Sequence, residues 1–203
     1  MAKNTFLEIL RLRLQKKSFS PKYAPWVVPT IGTTVVLILI ALFLFLKDLP
    51  SPANLGKPSS YPISTKILDR NDNLLYEIYD DQNRTPIKLD ELPDYLKKAT
   101  VSIEDKNFYT HHGFDTGGLI RAAYKTLTGQ RLEGGSTITQ QLVKVALLTP
   151  ERTLSRKVKE AILTIATEVL YSKDQILEMY LNQIPYGGTA YGIEAAAHRF
   201  FNK

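Results

Sequence analysis

The longest uninterrupted hydrophobic run lies near the start of the chain, at residues 26–46. The run, WVVPTIGTTVVLILIALFLFL, carries no charge, and a helix of this length spans about 30 Å, the thickness of a bilayer core. A cleaved signal peptide has a shorter apolar core of about 7 to 15 residues, followed by a small-residue cleavage site. Here the charged stretch KDLP follows at 47–50. The pattern therefore predicts an uncleaved transmembrane anchor.

After the anchor the pattern changes to a spacer and then to strand-like alternation. Residues 51–62, SPANLGKPSSYP, are rich in Pro and Ser, which is typical of a linker. Two stretches at 64–69 and 74–79 flank residues 70–73, RNDN, and Asn and Asp favour turns. The sequence predicts a β-hairpin, which must pack against another element because a lone hairpin is marginally stable.

From Pro86 onward, apolar positions recur at helical spacing. Ser136 or Thr137 can cap one of these helices, and Ser172, followed three residues later by Gln175, can cap another. The predicted helices lie at roughly 93–106, 117–128, 137–148, 153–171, 173–184 and 189–201. The predicted fold class is thus mainly α, with a short β-hairpin and one N-terminal transmembrane helix.

Charge is concentrated before the anchor. The 203 residues have a net charge of +6, and residues 1–46 hold six basic residues against one acid. The rest of the chain is nearly neutral, so the basic pI is a topology signal and does not indicate nucleic-acid binding. Positive charge on one side predicts a cytoplasmic N-terminal tail and places the chain after Lys47 on the outer face. The absence of cysteine excludes disulfides and thiolate chemistry.

A first candidate for chemistry is the stretch 103–115, which holds several carboxylates and two adjacent histidines. Helical spacing predicts that Glu104, Phe108 and His111 line one side of a turn while Asp105 points about 100° away. Adjacent histidines diverge and no His-Glu-x-x-His motif is present, which disfavours a metal site. An acid/base centre and a solvated turn both remain open on these residues alone.

Two further stretches offer polar or basic faces. At 134–144 a Gly-Gly pair leads into a helix on which Ser136, Gln140 and Lys144 share a stripe, and a helix N-terminus favours an anion. The alternative is a capped amphipathic helix with a wet polar face.

The stretch 152–160 carries three cations on one predicted face, with an acid beside them: Arg152, Arg156, Lys159 and Glu160. The opposite face carries an apolar stripe formed by Leu154, Val158, Ala161, Ile165 and Val169. Cations on one face repel one another, so this arrangement favours an anionic ligand over the alternative of a solvated charged face. Apolar residues in 173–182 indicate core packing.

These stretches together resemble the peptidoglycan glycosyltransferase (transglycosylase) domain of class A penicillin-binding proteins and monofunctional wall polymerases. The matching segments are Glu-Asp-x-x-Phe-x-x-His-x-Gly at 104–113, Gly-Gly-Ser-Thr-Ile-Thr-Gln-Gln-Leu-x-Lys at 134–144, Arg-Lys-x-x-Glu at 156–160, Lys-x-x-Ile-Leu-Glu-x-Tyr-Leu-Asn at 173–182 and Ala-Tyr-Gly-Ile-Glu-Ala-Ala-Ala at 190–197. Five motifs in family order are a specific signal. His112 stands where Pro is common in the family.

The resemblance implies a lysozyme-like lobe with a small membrane-proximal jaw that polymerises lipid II by inverting glycosyl transfer, releasing undecaprenyl diphosphate. The implied organisation is a cytoplasmic basic tail at 1–25, the anchor at 26–46, a linker and hairpin at 47–85 and the glycosyltransferase domain at 86–203. Family domains continue beyond this point, so we expect a C-terminal truncation.

The resemblance also assigns roles to individual residues. It implies that Glu104 is the general base and that Glu160, with Lys159 near it, positions the acceptor or assists the base. The implied substrate-binding residues are Asp105, Arg121, Ser136, Gln141, Lys144, Arg152, Arg156 and Lys159. Residues 117–127 are expected to dip into the bilayer where the lipid tail enters.

The expected cofactor is none tightly bound, with a divalent cation such as magnesium at the diphosphate. The expected partners are lipid II, the growing glycan strand, membrane lipid and other proteins of wall synthesis, division or elongation, with no nucleic acid. The expected location is the bacterial cell membrane, crossed once. The alternatives are a wall-cleaving muramidase, which has no diphosphate to stabilise, and a non-catalytic scaffold of wall assembly.

Overall fold

The structure, a computed structural model, describes residues 24–57, 61–118, 120–121, 128, 135–151 and 153–202. The predicted cytoplasmic tail therefore lies almost wholly outside the described residues, as does Arg152. The chain divides into two compact units with a boundary between Leu49 and Pro50.

In the described part of the first unit, residues 24–49, there is one helix, α1 (Ala24–Leu46). Residues Trp26–Leu46 are long and apolar enough to cross a membrane. The hydroxyl groups of Thr30, Thr33 and Thr34 donate to backbone carbonyls one turn earlier, at 2.8–2.9 Å. A helix in a bilayer needs such internal partners because lipid offers none. The prediction of one apolar N-terminal helix is confirmed.

The second unit begins with small elements. A 3₁₀ turn at Pro52–Asn54 is followed by the strands β1 (Thr65–Leu68) and β2 (Leu74–Ile78), which pair antiparallel as predicted, with Thr65 opposite Ile78. The Asp69 carboxylate accepts hydrogen bonds from the backbone N–H groups of Asn71 and Asn73, at 2.7 and 2.8 Å. These bonds, with the Asn73 side-chain amide, hold the pKa of Asp69 below its ordinary value and fix the turn.

The helices that are described over their full length in the second unit are α2 (Asp94–Glu104), α3 (Ile138–Ala146), α4 (Leu154–Leu170), α5 (Lys173–Gln183) and α6 (Ile193–Phe201). A second 3₁₀ turn, Leu89–Glu91, precedes α2. Five of the six predicted helices are thus present within a few residues of their expected bounds. Of the predicted helix at 117–128, residues 117, 118, 120 and 121 are helical, residue 128 lies in a turn, and residues 119 and 122–127 lie outside the described part of the chain.

The helix starts follow the capping signals in the sequence. The Thr137 side chain accepts from the Gln140 backbone while the Gln140 side chain accepts from the Thr137 backbone, and Ser172 and Gln175 make the same capping box. The α6 helix starts four residues later than predicted, because Ala190–Tyr191 forms strand β4 with β3 (Pro185–Gly187).

The core of the second unit is built around α3, which packs against both α4 and α5. Its centre includes Phe108, Leu142, Ile176, Leu177 and Leu181, all at most 1% exposed. Burial of such side chains contributes about 1.5–3 kcal/mol each to folding. A short central helix with neighbours on two sides holds its remaining face in a fixed position, and that face carries the candidate site.

Candidate active site

The Glu104 carboxylate stands at the end of α2 and is exposed. The Gln141 side-chain amide, from the middle of α3, donates to Glu104 Oε2 at 2.9 Å. The two residues are far apart in sequence, so the bond depends on how α2 and α3 are packed. An accessible carboxylate that is held by a neutral donor can accept a proton from a bound hydroxyl group.

Asp105, the next residue, points into the protein. Its carboxylate contacts His111 Nε2 at 2.9 and 3.0 Å and accepts from the Ile138 backbone N–H at 3.1 Å. Phe108 is fully buried. The prediction that Glu104, Phe108 and His111 share one side of the turn is therefore wrong: the chain leaves the helix at Asp105 (φ −159°), so helical spacing no longer applies. Substrate binding by Asp105 stays a prediction, and its observed contacts are internal.

Gly113 is the last residue of the motif at 104–113, and neighbouring atoms leave no room for a side chain there. Its φ is +87°, and a Cβ would lie 2.8 Å from Thr164 Cγ2. Its carbonyl accepts from the Thr137 hydroxyl at 2.7 Å. A side chain at this position would be strained and would clash, which explains glycine in the motif. The turn after α2 is thereby joined to the start of α3.

A cavity of about 460 Å³ adjoins Glu104. Four of the predicted site residues line it: Glu104, Asp105, Arg121 and Ser136. Asp115 lies in the same wall, where the Gly118 backbone N–H donates to it at 2.9 Å and lowers its pKa. A neighbouring cavity of about 380 Å³ shares Asp115 and Ser136 and reaches Lys157 of α4. The structure thus brings the acid of α2, the start of α3 and one side of α4 around a common region.

The polar stripe predicted on α3 is partly wrong. Gln140 is buried, since its side chain is used in the cap of the helix. The residue that faces the site instead is Gln141. Lys144 is exposed and lies one turn beyond Gln141, on the same face of the helix. The expected cation therefore stands on the side of α3 that carries the Glu104 contact.

The orientation of α4 is the reverse of what its apolar stripe suggests. Glu160, Leu163, Thr164 and Thr167 are buried, whereas Leu154 is 88% and Val169 80% exposed. Most of the predicted apolar stripe is thus on the surface, because α4 packs against α3 and the Pro52–Asn54 turn through its threonine-rich face.

Glu160 pairs with Lys157, rather than lying in the open beside Lys159, as helical spacing suggested. Arg156 is half-buried, and among the described residues its Nε has no hydrogen-bond partner. Lys159 is half-buried as well. The cationic face of α4 is therefore turned partly inward.

Sequence reasoning missed two tyrosines near Glu104. Burial and then the negative charge of Glu104 raise the pKa of Tyr186 to about 12, and burial followed by that charge raises the pKa of Tyr180 further. Tyr180 belongs to the stretch 173–182, whose apolar positions predict core packing, and it is indeed buried, at 4% exposed. A buried phenol nevertheless needs a hydrogen-bond partner, and that requirement could have signalled its second contact.

Within the described part of the chain, no group of three or more His, Cys, Asp or Glu side chains could hold a metal ion. The described site consists of an exposed carboxylate beside a cleft, with Lys144 and Lys157 on neighbouring helices. This site and the mainly helical fold are consistent with the lysozyme-like transglycosylase domain that the sequence predicts.

Comparison with known proteins assigns the family. The sequence model described as Transglycosylase matches residues 71–203, so the chain belongs to this family. It is 48% identical to penicillin-binding protein 1F of Bacillus subtilis over 141 residues, which cover 69% of this chain and 20% of that protein. It is 42% identical to penicillin-binding protein 1A of Rickettsia bellii (85% of this chain, 22% of the relative) and 48% identical to that of Escherichia coli (65% and 16%). The chain thus spans roughly a fifth of the length of these relatives.

Proposed function

We propose that this chain polymerises lipid II into peptidoglycan glycan strands by inverting glycosyl transfer, with release of undecaprenyl diphosphate. Membership of the transglycosylase family supports glycan polymerisation. The observation that carries the proposal is the exposed Glu104 carboxylate, held by Gln141 at a cleft that Ser136 and Arg121 also line.

Glu104 is the general base in this proposal. Oε2 is bonded to Gln141, and among the described residues Oε1 has no such contact and faces the acceptor. Glu104 takes the proton from the 4-hydroxyl of the acceptor N-acetylglucosamine as that oxygen attacks the anomeric carbon of the donor. The bond from this carbon to the diphosphate breaks with inversion, and the diphosphate leaves as an anion. A positioned base of this kind contributes about 10²–10⁴-fold to the rate.

Cations stabilise the departing diphosphate. Lys144 stands on the Gln141 face of α3, and the unpartnered Nε of Arg156 suits an anionic oxygen. Arg152, which lies outside the described residues, and Arg121 complete the set with the Ser136 hydroxyl. In the same proposal Glu160 and Lys159 position the acceptor, and the Lys157–Glu160 pair adds a cation next to that carboxylate.

We also propose that no cofactor is tightly bound and that a divalent ion such as magnesium accompanies the diphosphate. Other wall-synthesis, division or elongation proteins are proposed partners.

The proposed location of the domain is the outer face of the cell membrane, with the stretch 117–127 in contact with lipid. Ile120 in this stretch is 71% exposed. If a variant combining Leu119→Asp and Ile120→Asp polymerised lipid II as well as the wild type, the proposed lipid contact would be excluded.

Polymerisation of labelled lipid II by the 203-residue chain tests the function. We expect long glycan from the wild type, with product formation lowered at least 100-fold in Glu104→Gln. The matched control is Asp81→Asn, an exposed acid shortly after strand β2, which should polymerise normally. Equal activity of Glu104→Gln and wild type would exclude the proposed base.

The same preparations separate the alternatives. Finished wall should stay intact, since soluble muropeptides released from it would indicate a muramidase. Binding of lipid II without polymer by the correctly folded wild type would indicate a scaffold. Parallel reactions with magnesium and with EDTA measure how strongly a divalent ion is needed.

A further inference from the structure

Tyr180 has an unusual partner for a core residue. It lies on α5 with 4% of its surface exposed, among the apolar side chains that pack between α3 and α5. Its hydroxyl group donates to the side-chain carbonyl Oε1 of Gln141 at 3.2 Å. A buried phenol could have used a backbone carbonyl, but this one contacts the side chain that also holds Glu104.

The chemistry of the three groups fixes the direction of every hydrogen bond between them. An ionised carboxylate only accepts, so the Gln141 group that faces Glu104 must be the NH₂. The carbonyl of Gln141 then faces Tyr180, and a carbonyl also only accepts, so Tyr180 must donate. Burial and the negative charge of Glu104 raise the pKa of the phenol, which keeps its proton in place at neutral pH. The three residues form one chain of donors that ends on Glu104 Oε2.

This chain of bonds restricts a side chain that would otherwise move freely. Glu104 is exposed at the end of a helix, and a Glu side chain there has several accessible rotamers. Gln141 can select one rotamer only if its own amide is fixed, and the Tyr180 hydroxyl supplies the second contact that fixes it. Holding Oε2 in place also limits the orientations open to Oε1, beside the cleft that Glu104 lines.

We propose that Tyr180 is a positioning residue that orients the Glu104 carboxylate through the side-chain amide of Gln141. This inference rests on the proposed function of Glu104 as the base. Tyr180 touches neither substrate nor reacting atoms in this role. Its contribution is to keep the base within the narrow range of geometry that proton transfer requires.

The first test is Tyr180→Phe in the 203-residue chain, assayed with labelled lipid II. We expect kcat to fall about 10-fold with KM within twofold of wild type, because binding groups are unchanged and only the orientation of the base is lost. The matched control is Tyr171→Phe, which also removes a hydroxyl bonded at 3.2 Å, to the Pro52 carbonyl. That control should keep wild-type kcat. An unchanged kcat in Tyr180→Phe, or an equal loss in both variants, would overturn the inference.

A double-mutant cycle distinguishes action through Gln141 from a general packing effect. Gln141→Met keeps the size of the side chain but removes both polar groups, and we expect a larger fall in kcat than for Tyr180→Phe. Adding Tyr180→Phe to Gln141→Met should cause no further loss, because the connection is already broken. Losses that multiply would show that Tyr180 acts independently of Gln141 and would refute the proposal.

A variant at Gln141 provides a second test if Tyr180→Phe does not fold by circular dichroism. Gln141→Glu keeps an oxygen for the Tyr180 hydroxyl, but once both carboxyl groups are ionised at alkaline pH it presents no donor to Glu104, so we expect kcat to fall there at least as far as in Gln141→Met. Wild-type kcat in Gln141→Glu at every pH, alkaline pH included, would contradict the assigned direction of the bonds. Glu104→Gln in the same assay separates the two proposals: if it stays active the proposed function fails, whereas if it is inactive and Tyr180→Phe is fully active only the positioning role fails.

Discussion

The neighbouring carboxylates of Glu104 and Asp105 have opposite environments. Glu104 is exposed and bonded to one neutral amide, whereas Asp105 is 6% exposed and contacts His111 and the Ile138 backbone. A buried carboxylate with these contacts has a structural role: it joins the turn after α2 to the start of α3. Glu104, the proposed base, is thus attached to a rigid neighbour while its own carboxylate stays exposed.

The titration of Tyr186 reports whether Glu104 is charged and close. Burial and then the charge of Glu104 raise the pKa of this phenol to about 12. In Glu104→Gln we expect the pKa of Tyr186 to fall but to stay above 10, since burial remains. Tyrosinate absorbance between pH 9 and 13 measures the shift, and Tyr186→Phe assigns it among the 11 tyrosines.

The same shift predicts how stability changes with pH. The folded pKa lies above the unfolded value of about 10, so the unfolded chain ionises first. The contribution of Tyr186 to stability is complete below pH 10 and is lost as the pH rises through about 12. An identical Tyr186 titration in the wild type and Glu104→Gln would mean that the two side chains are not neighbours.

At the scale of elements, α4 places its threonine-rich face inward. Glu160, Leu163, Thr164 and Thr167 are buried, and the hydroxyls of Thr164 and Thr167 donate to the carbonyls of Glu160 and Leu163 at 2.7 and 2.8 Å. Internal bonding removes the cost of burying these hydroxyls. The inward face can therefore be polar, which brings Arg156 and Glu160 towards the interior.

This orientation predicts opposite effects for two apolar residues on the same helix. Leu163 is 1% and Val169 80% exposed. Leu163→Ala should lower the free energy of unfolding by about 2–5 kcal/mol because it leaves a cavity. Val169→Ala should change it by less than about 0.5 kcal/mol. Urea unfolding of both variants measures the difference, and a larger loss for Val169→Ala would show that the apolar stripe is buried.

Helix α4 also shows which features could not be predicted from the sequence. Local patterns predicted the hairpin, most helices and the caps at Thr137 and Ser172, because those signals arise from residues a few positions apart. Helical spacing separated the apolar and the polar face of α4 but did not show which face packs inward. The face is selected by α3 and the Pro52–Asn54 turn, which are distant in sequence.

Contacts within the site also depend on packing between elements that are distant in sequence. The bonds from Gln141 to Glu104 and from Tyr180 to Gln141 join residues 37 and 39 positions apart. The family resemblance supplied Glu104 and Gln141 as site residues, but their mutual contact depends on packing. The short strands β3 and β4 were also missed, since Gly192, with φ of +84°, ends the extended segment before α6 can begin.

For the whole molecule, the charge distribution and α1 together predict a membrane topology. Trp26–Leu46 carries no charge, and six basic residues precede it against a single acid. Such an asymmetry orients a single span with the basic end in the cytoplasm. The unit that contains Glu104 would then lie on the outer face, where finished wall is assembled.

Because the chain contains no cysteine, single introduced thiols can report this orientation without background. We expect Glu151→Cys, at an exposed position of the second unit, to react with a membrane-impermeant maleimide in intact spheroplasts. Ser18→Cys, in the basic tail, should react only after lysis, because the bilayer shields the cytoplasmic side. Reaction of Ser18→Cys before lysis, with protection of Glu151→Cys, would place Glu104 in the cytoplasm. Release of both variants by carbonate washing would instead show that α1 does not span the membrane, because a spanning helix stays in the bilayer.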